Sequence, residues 1–189
     1  MEAFWVSITT ISIAEIGDRT QLLSLLLTAR YRRPWPIIAG ILCATLANHA
    51  AAGAIGFWFG SLLKPRTLDL IVGISLIAMA PWTLKPDRVD GNPTGISTMG
   101  AFLATLTSFF VAEIGDKTQI ATVALAAAYS NLVAVVAGTT AGMLLANVPV
   151  VFLGKALADR LPLKAIHYGA AALFVVLGAL FLARAFWMS

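Results

Sequence analysis

The sequence contains few of the charged residues that a water-soluble protein needs. Only 12% of its 189 residues are charged, whereas 59% are hydrophobic, and typical globular proteins have about 25% charged residues. Apolar runs of about 20 residues follow one another along the chain, each long enough to cross a bilayer as a helix. The composition therefore excludes an ordinary soluble domain and predicts an all-α integral membrane protein.

Cysteine and catalytic motifs are scarce as well. The single Cys43 lies inside an apolar run, which excludes an internal disulfide and a metal cluster built on cysteines. The sequence shows no nucleophile–base pair and no cofactor motif, so we expect neither an enzyme nor a bound cofactor. The net charge of +4 predicts no nucleic-acid partner, because the basic residues lie in short segments between apolar runs, where they orient a membrane protein.

Six apolar runs predict six transmembrane helices. Their approximate ranges are 3–29, 35–63, 68–84, 98–129, 132–153 and 165–187. The first run is too long for the core of a signal peptide, so we expect it to be retained. The segment 85–97 is polar and rich in turn-forming residues, which is typical of a linker. It divides the chain into a first three-helix unit at 1–84 and a second at 98–189.

One motif occurs in the first run and again in the fourth. Residues 14–21 read AEIGDRTQ and residues 112–119 read AEIGDKTQ, so the copies differ only by an exchange of Arg for Lys. At the same offset Gly40 aligns with Gly138, and one inserted residue then aligns Asn48 with Asn147. Because each half has three spans, the second half must enter the membrane from the opposite side. The sequence therefore predicts two inverted repeats, which place a substrate between them near the midplane.

The motif puts acidic residues at a depth where they are costly. Glu15, Asp18, Glu113 and Asp116 are four of the nine acidic residues in the chain, and each carboxylate at the bilayer centre costs roughly 2.5 to 3.5 kcal/mol. Within each copy the Glu and the Asp are three residues apart, so on a continuous helix they share one face. We therefore expect these four residues to bind a metal ion.

A basic residue follows each Asp and stands four residues after the Glu. Arg19 can thus compensate the charge of Glu15, and Lys117 that of Glu113, when no ligand is bound. Four carboxylates less two cations leave two negative charges, which matches one divalent ion. The alternative is that the ion pairs only hold helices together, although Gly and Ala pack helices at lower cost.

Further polar side chains surround the carboxylates. Their oxygen atoms make a hard ligand set, which suits Mg, Ca or Mn and does not select Zn or Cu(I). We take these supporting residues to be Thr20, Gln21, Thr118, Gln119, Asn48 and Asn147. For the two asparagines an interhelical hydrogen bond is an equal alternative.

His49 has no counterpart in the other half, where Val148 follows Asn147. As a nitrogen ligand it would favour Mn over Ca. The alternative is a structural or pore-lining residue.

The distribution of basic residues predicts the orientation in the membrane. Eight Lys and Arg residues lie on the side of the linker, and three lie on the other side, namely Lys64, Arg66 and Arg184. The positive-inside rule then places the linker in the cytoplasm and both termini outside.

Two copies of ExGD(K/R)T in a six-span chain of this size closely resemble a family of cation transporters. That family includes the Golgi manganese and calcium transporters of yeast and humans and the manganese exporters of bacteria and cyanobacteria. The resemblance covers the whole chain and implies transport of divalent cations, principally Mn and for some members Ca, in exchange for protons. It also implies that Glu15, Asp18, Glu113 and Asp116 form the ion site. The compact size resembles the bacterial members and implies a bacterial inner membrane.

The sequence thus predicts a secondary transporter that exports Mn²⁺ across the cytoplasmic membrane in exchange for protons. Its expected partners are a divalent metal ion, protons and membrane lipid. A Ca²⁺/proton antiporter with the same site is one alternative. A membrane scaffold that transports nothing is the other.

Overall fold

The computed structural model describes residues 1–84, 100–154 and 162–187, and all regular secondary structure within these ranges is helical. The predicted linker at 85–97 lies outside the described residues. The helices in the described ranges are α1 Glu2–Glu15, α2 Arg19–Tyr31, α3 Pro34–Leu62, α4 Pro65–Thr83, α5 Ala101–Glu113, α6 Lys117–Ala128, α7 Leu132–Leu153 and α8 Leu163–Trp187. The prediction of an all-α protein is confirmed.

Three of these helices, α3, α7 and α8, are long and apolar enough to cross a membrane by themselves. The first and fourth predicted spans are instead each divided into two shorter helices, α1 with α2 and α5 with α6. The division falls within the motif, since one helix ends at its Glu and the next begins directly after its Asp. The expectation that each motif lies on a continuous helix is therefore wrong, and six spans remain a prediction.

Proline and arginine mark the helix ends as the sequence suggests. α2 ends at Tyr31, and Arg32 has a left-handed φ of 50°. α3 begins at Pro34 and α4 at Pro65, where the fixed φ of proline suits the first turn and its missing N–H leaves no hydrogen bond unmade. The turns between these helices are consequently only a few residues long.

The broken helices of each half pack against a long helix of the other half. α1 lies against α7, and α5 lies against α3. A side-chain carbon on Gly138 would lie 2.8 Å from Cβ of Ser7, and one on Gly40 would lie 2.7 Å from Cβ of Thr105. Gly40 aligns with Gly138 in the repeat, and Ser7 aligns with Thr105 at the same offset. Equivalent positions therefore make equivalent contacts in the two halves.

Small residues bring the remaining helices together. Gly56 and Gly60 of α3 face the backbone of α6, where a side-chain carbon on Gly60 would lie 2.6 Å from the carbonyl oxygen of Ala127. α4 packs against α8 through Gly73 and Gly178, each of which faces the other's carbonyl oxygen. Two glycines four residues apart on one helix face allow this close approach of helices.

Candidate cation site

Each motif forms a sharp break between two helices. α1 ends at Glu15 and α5 ends at Glu113, and in both copies the following isoleucine has an extended backbone. The glycines come next, Gly17 with φ of 85° and Gly115 with φ of 74°, a region that other residues rarely adopt. The left-handed backbone conformation thus requires glycine at this position of the motif.

The glutamines of the motif stabilise this break. Oε1 of Gln21 accepts a hydrogen bond from the backbone N–H of Gly17 at 2.9 Å, and Oε1 of Gln119 accepts one from Gly115 at 2.7 Å. Nε2 of Gln21 also donates to the carbonyl oxygen of Ala146 at 2.8 Å. In this structure the glutamine oxygens therefore bind the backbone, which makes these residues supports of the site.

A substitution at Gly115 tests the need for the left-handed conformation. We expect Gly115→Ala to destabilise the protein by roughly 1 to 2 kcal/mol, because a residue with a Cβ is strained at this φ. No atom lies within 4 Å of the position that the new carbon would take. Gly169 in α8 has the same open surroundings without a left-handed φ, so Gly169→Ala is the matched control. Thermal unfolding in one detergent measures both, and equal effects would contradict the interpretation.

Three of the predicted ion-binding carboxylates come together at the breaks. One oxygen each of Glu15, Glu113 and Asp116 lies within 4.8 Å of the other two, and all three residues are buried. Two oxygens on opposite sides of one divalent ion lie about 4.2 to 5.2 Å apart, for metal–oxygen distances of roughly 2.1 to 2.6 Å. A single ion can therefore contact all three groups. Asp18 is buried close by but is not a member of this group.

The two basic residues form their ion pairs between the motifs. Nζ of Lys117 donates a hydrogen bond to Oδ1 of Asp18, and both side chains are buried. Nη2 of Arg19 donates to Oδ1 of Asp116 at 3.0 Å. The sequence predicts that each basic residue compensates the Glu of its own motif, whereas the observed ion pairs join the two copies. The reason is that the helix break removes the spacing of one helical turn.

The threonines of the motif bind the glutamates. Oγ1 of Thr20 donates to Oε2 of Glu15 at 2.5 Å, while Oγ1 of Thr118 lies 3.3 Å from Oε2 of Glu113 and 3.1 Å from Oδ2 of Asp116. The other oxygen of each glutamate, Oε1, is buried and has no hydrogen-bond partner among the described residues. A buried acceptor without a partner costs about 1 to 3 kcal/mol. Both atoms are therefore free to bind a cation.

The asparagines join helices around the site. Oδ1 of Asn147 accepts a hydrogen bond from Ser24 at 2.8 Å, which ties α7 to α2. Nδ2 of Asn48 donates to the carbonyl oxygen of Phe110 at 3.2 Å, which ties α3 to α5. The interhelical hydrogen bond, one of the two alternatives for these residues, is the observed arrangement.

His49 of α3 is fully buried, and its Nε2 lies 3.9 Å from Oε2 of Glu113.

Away from the motifs, Arg184 of α8 donates two hydrogen bonds to Asp69 of α4, at 2.7 and 2.5 Å. The sequence patterns do not predict this ion pair, although the isolated Asp69 in an apolar run is a signal for it. The pair fastens α4 to α8.

A family model described as the divalent cation/proton antiporter GDT1 matches residues 3–91 and 101–189. The chain belongs to this family. This match confirms the resemblance drawn from the doubled motif. GDT1 proteins are transporters and not a family of enzymes.

Relatives of this GDT1 chain occur in bacteria and in chloroplasts. A Vibrio cholerae serotype O1 protein named "Putative manganese exporter" is 52% identical over 188 residues, covering 99% of this chain and 92% of that protein. A GDT1-like protein of Synechocystis sp. is 29% identical, covering 88% and 89%. The chloroplastic PAM71 homolog of Arabidopsis thaliana is 27% identical, covering 93% of this chain and 58% of its own length. No solved structure matches. The bacterial relative and the apolar helices support a multi-pass bacterial membrane protein.

Proposed function

We propose that this protein exports Mn²⁺ across the bacterial inner membrane in exchange for protons, and that Glu15, Glu113 and Asp116 bind the transported ion. The observation that carries the proposal is the convergence of these three buried carboxylates from two helix breaks. Membership of a divalent cation/proton antiporter family supports the reaction. The name of the Vibrio cholerae relative supports manganese as the metal.

The ion pairs suggest how the charge of the ion is balanced. Lys117 compensates Asp18 and Arg19 compensates Asp116, so the two glutamates are the carboxylates without a basic hydrogen-bond partner among the described residues. Two ionised glutamates balance one divalent cation. When the ion leaves, two protons on the same carboxylates restore neutrality in a medium where an uncompensated charge is costly. The arrangement therefore favours an exchange of one Mn²⁺ for two protons without net charge movement.

The contacts between the halves support alternating access by inverted repeats. Gly40 meets Thr105 and Gly138 meets Ser7, so the halves at 1–84 and 98–189 bind each other through equivalent surfaces. In this proposal six spans result when each broken pair, α1 with α2 and α5 with α6, crosses the membrane as one unit. Rocking of one repeat against the other then exposes the same site to either side in turn.

A Ca²⁺/proton antiporter remains the alternative, because a group of carboxylates also suits Ca²⁺. The scaffold alternative is less favoured. A purely structural network would satisfy its buried acceptors, whereas one oxygen of Glu15 and one of Glu113 have no hydrogen-bond partner in the described part of the chain.

Flux into proteoliposomes tests the function. We expect the purified protein to move Mn²⁺ in the direction opposite to the flow of protons down an imposed pH gradient. Mg²⁺, Ca²⁺ and Zn²⁺ are compared under the same conditions. Exchange of one Mn²⁺ for two protons moves no net charge. The flux should therefore not change when a membrane potential is imposed with valinomycin and K⁺. A wild-type flux indifferent to the pH gradient would contradict proton exchange, and the absence of any metal flux would favour the scaffold.

The orientation can be tested with single cysteines. The distribution of Lys and Arg predicts that residue 92 faces the cytoplasm and residue 66 faces outside. In a Cys43→Ser background, an impermeant thiol reagent added to intact cells should label Arg66→Cys and should label Asn92→Cys only after the membrane is opened. Ready labelling of Asn92→Cys in intact cells would reverse the orientation.

A further inference from the structure

We infer that His49 supplies a nitrogen ligand to the transported ion beside Glu113, and that this nitrogen biases the site towards Mn²⁺ and against Ca²⁺. The inference rests on the proposed function, because it concerns the same ion. It adds to the carboxylates a residue that has no counterpart in the other half of the chain.

The imidazole is buried without a hydrogen bond. His49 has no exposed surface, and neither Nδ1 nor Nε2 has a hydrogen-bond partner among the residues that the structure describes. Buried polar atoms nearly always have such a partner, so an unpartnered imidazole needs an explanation. A bound cation provides one, since a neutral imidazole nitrogen is a metal ligand.

The distance to Glu113 suits a shared ion better than a hydrogen bond. Nε2 of His49 lies 3.9 Å from Oε2 of Glu113, which is too long for a hydrogen bond. Two ligands of one ion can lie at most twice the metal–ligand distance apart, which is about 4.4 Å for distances of roughly 2.2 Å, between those of Mg²⁺ and Ca²⁺. The observed separation is below this limit, so one ion can contact both groups.

The local packing holds His49 beside Glu113. Asn48, the preceding residue, donates a hydrogen bond to the carbonyl oxygen of Phe110, three residues before Glu113 on α5. Gly40 lies earlier on α3 and packs closely against Thr105 of the same helix. α3 and α5 are therefore fixed to each other along this stretch, and the imidazole lies beside Glu113 at the end of α5.

The asymmetry of the repeat indicates what the nitrogen adds. Asn48 aligns with Asn147, and the residue after Asn147 is Val148, which has no ligand atom. Two identical halves would offer oxygen ligands alone, a set that suits Mg²⁺, Ca²⁺ and Mn²⁺ alike. One imidazole changes the set in favour of a transition metal, because nitrogen ligands suit Mn²⁺ better than Ca²⁺.

Pulsed electron paramagnetic resonance of bound Mn²⁺ tests direct ligation. We expect the purified wild-type protein to show electron spin-echo modulation from a directly bound ¹⁴N nucleus, and the pattern should change when histidine is labelled with ¹⁵N. The chain has only two histidines, so His167→Gln is the matched control and should retain the modulation. His49→Gln should lose it. Mn²⁺ bound to wild-type protein without nitrogen modulation would overturn the inference, and this measurement does not require that any His49 variant folds.

Metal affinity gives the second measurement. We expect His49→Gln to weaken Mn²⁺ binding roughly tenfold or more, the scale on which loss of a metal-site residue acts, while Ca²⁺ binding changes little. Unchanged relative affinities for Mn²⁺ and Ca²⁺ would contradict the selectivity.

A parallel Glu113→Gln protein separates this inference from the proposed site. If that change abolishes Mn²⁺ binding while His49→Gln leaves binding and the nitrogen signal unchanged, the carboxylate site stands and the inference about His49 fails. If Glu113→Gln leaves Mn²⁺ binding unchanged, the proposed site itself is wrong and the inference falls with it.

Discussion

Mn²⁺ flux should fall to the level of protein-free liposomes when Glu113 is replaced by glutamine. The amide keeps the size of the side chain and can still accept a hydrogen bond from Thr118. It removes one of the two motif carboxylates that have no basic hydrogen-bond partner among the described residues, and it places an NH₂ group among carboxylate oxygens that must face the ion. An amide also cannot take up a proton. The metal therefore loses a ligand, and the exchanged proton loses the group that binds it. Glu15→Gln should have the same effect, because Glu15 occupies the equivalent position in the other motif.

The control for this experiment is the remaining glutamate of the chain. Glu2 is exposed at the start of α1, where Tyr129 donates a hydrogen bond to it at 3.3 Å. Glu2→Gln makes the same chemical change outside the site, and we expect its flux to match that of the wild type. Initial rates of Mn²⁺ uptake with and without an opposing pH gradient measure all three variants. Normal, proton-coupled flux in Glu113→Gln would exclude the proposed site.

The long helices could be predicted closely from the sequence. The fifth apolar run, 132–153, coincides with α7, and the second, 35–63, differs from α3 by one residue at each end. These ends are defined by local features, namely Pro34 and the polar residues that follow each run, so a sequence pattern is sufficient to find them.

The helix breaks were not predicted, although the motif contains a signal for them. Gly115 precedes Asp116, and the side chain of Asp116 accepts a hydrogen bond from the backbone N–H of Thr118 at 3.2 Å, which is how an Asp caps the start of a helix. A glycine followed by Asp, a basic residue and Thr therefore indicates that one helix ends and another begins. Hydrophobic periodicity does not reveal it, because apolar residues continue on both sides.

The pairing of charges across the motifs had no local signal at all. Arg19 is 97 residues from Asp116, and Lys117 is 99 residues from Asp18. Such contacts depend on how the halves dock, and they exist because the breaks place the start of α2 beside the start of α6. The count of two unbalanced negative charges is nevertheless the same under either pairing, because it depends only on the numbers of acidic and basic residues.

The difference in burial between the two ion pairs predicts a difference in stability. The side chain of Lys117 is 1% exposed and that of Arg19 is 34% exposed. Removing one partner of a fully buried pair costs about 3 to 5 kcal/mol because the other charge stays behind. In the Arg19–Asp116 pair Asp116 is buried but Arg19 is partly exposed, and contact with solvent weakens such a pair. We therefore expect Lys117→Met to lower the free energy of unfolding by more than Arg19→Met does.

A double variant identifies the cause of that loss. Lys117→Met combined with Asp18→Asn removes both charges of the buried pair, so we expect it to regain much of the stability that Lys117→Met alone loses. The midpoint of thermal unfolding in one detergent compares the two single variants, the double variant and the wild type. Equal losses for Lys117→Met and Arg19→Met would contradict the role of burial. A double variant no more stable than Lys117→Met would show that the lost packing of the lysine side chain, and not the uncompensated charge of Asp18, causes the effect.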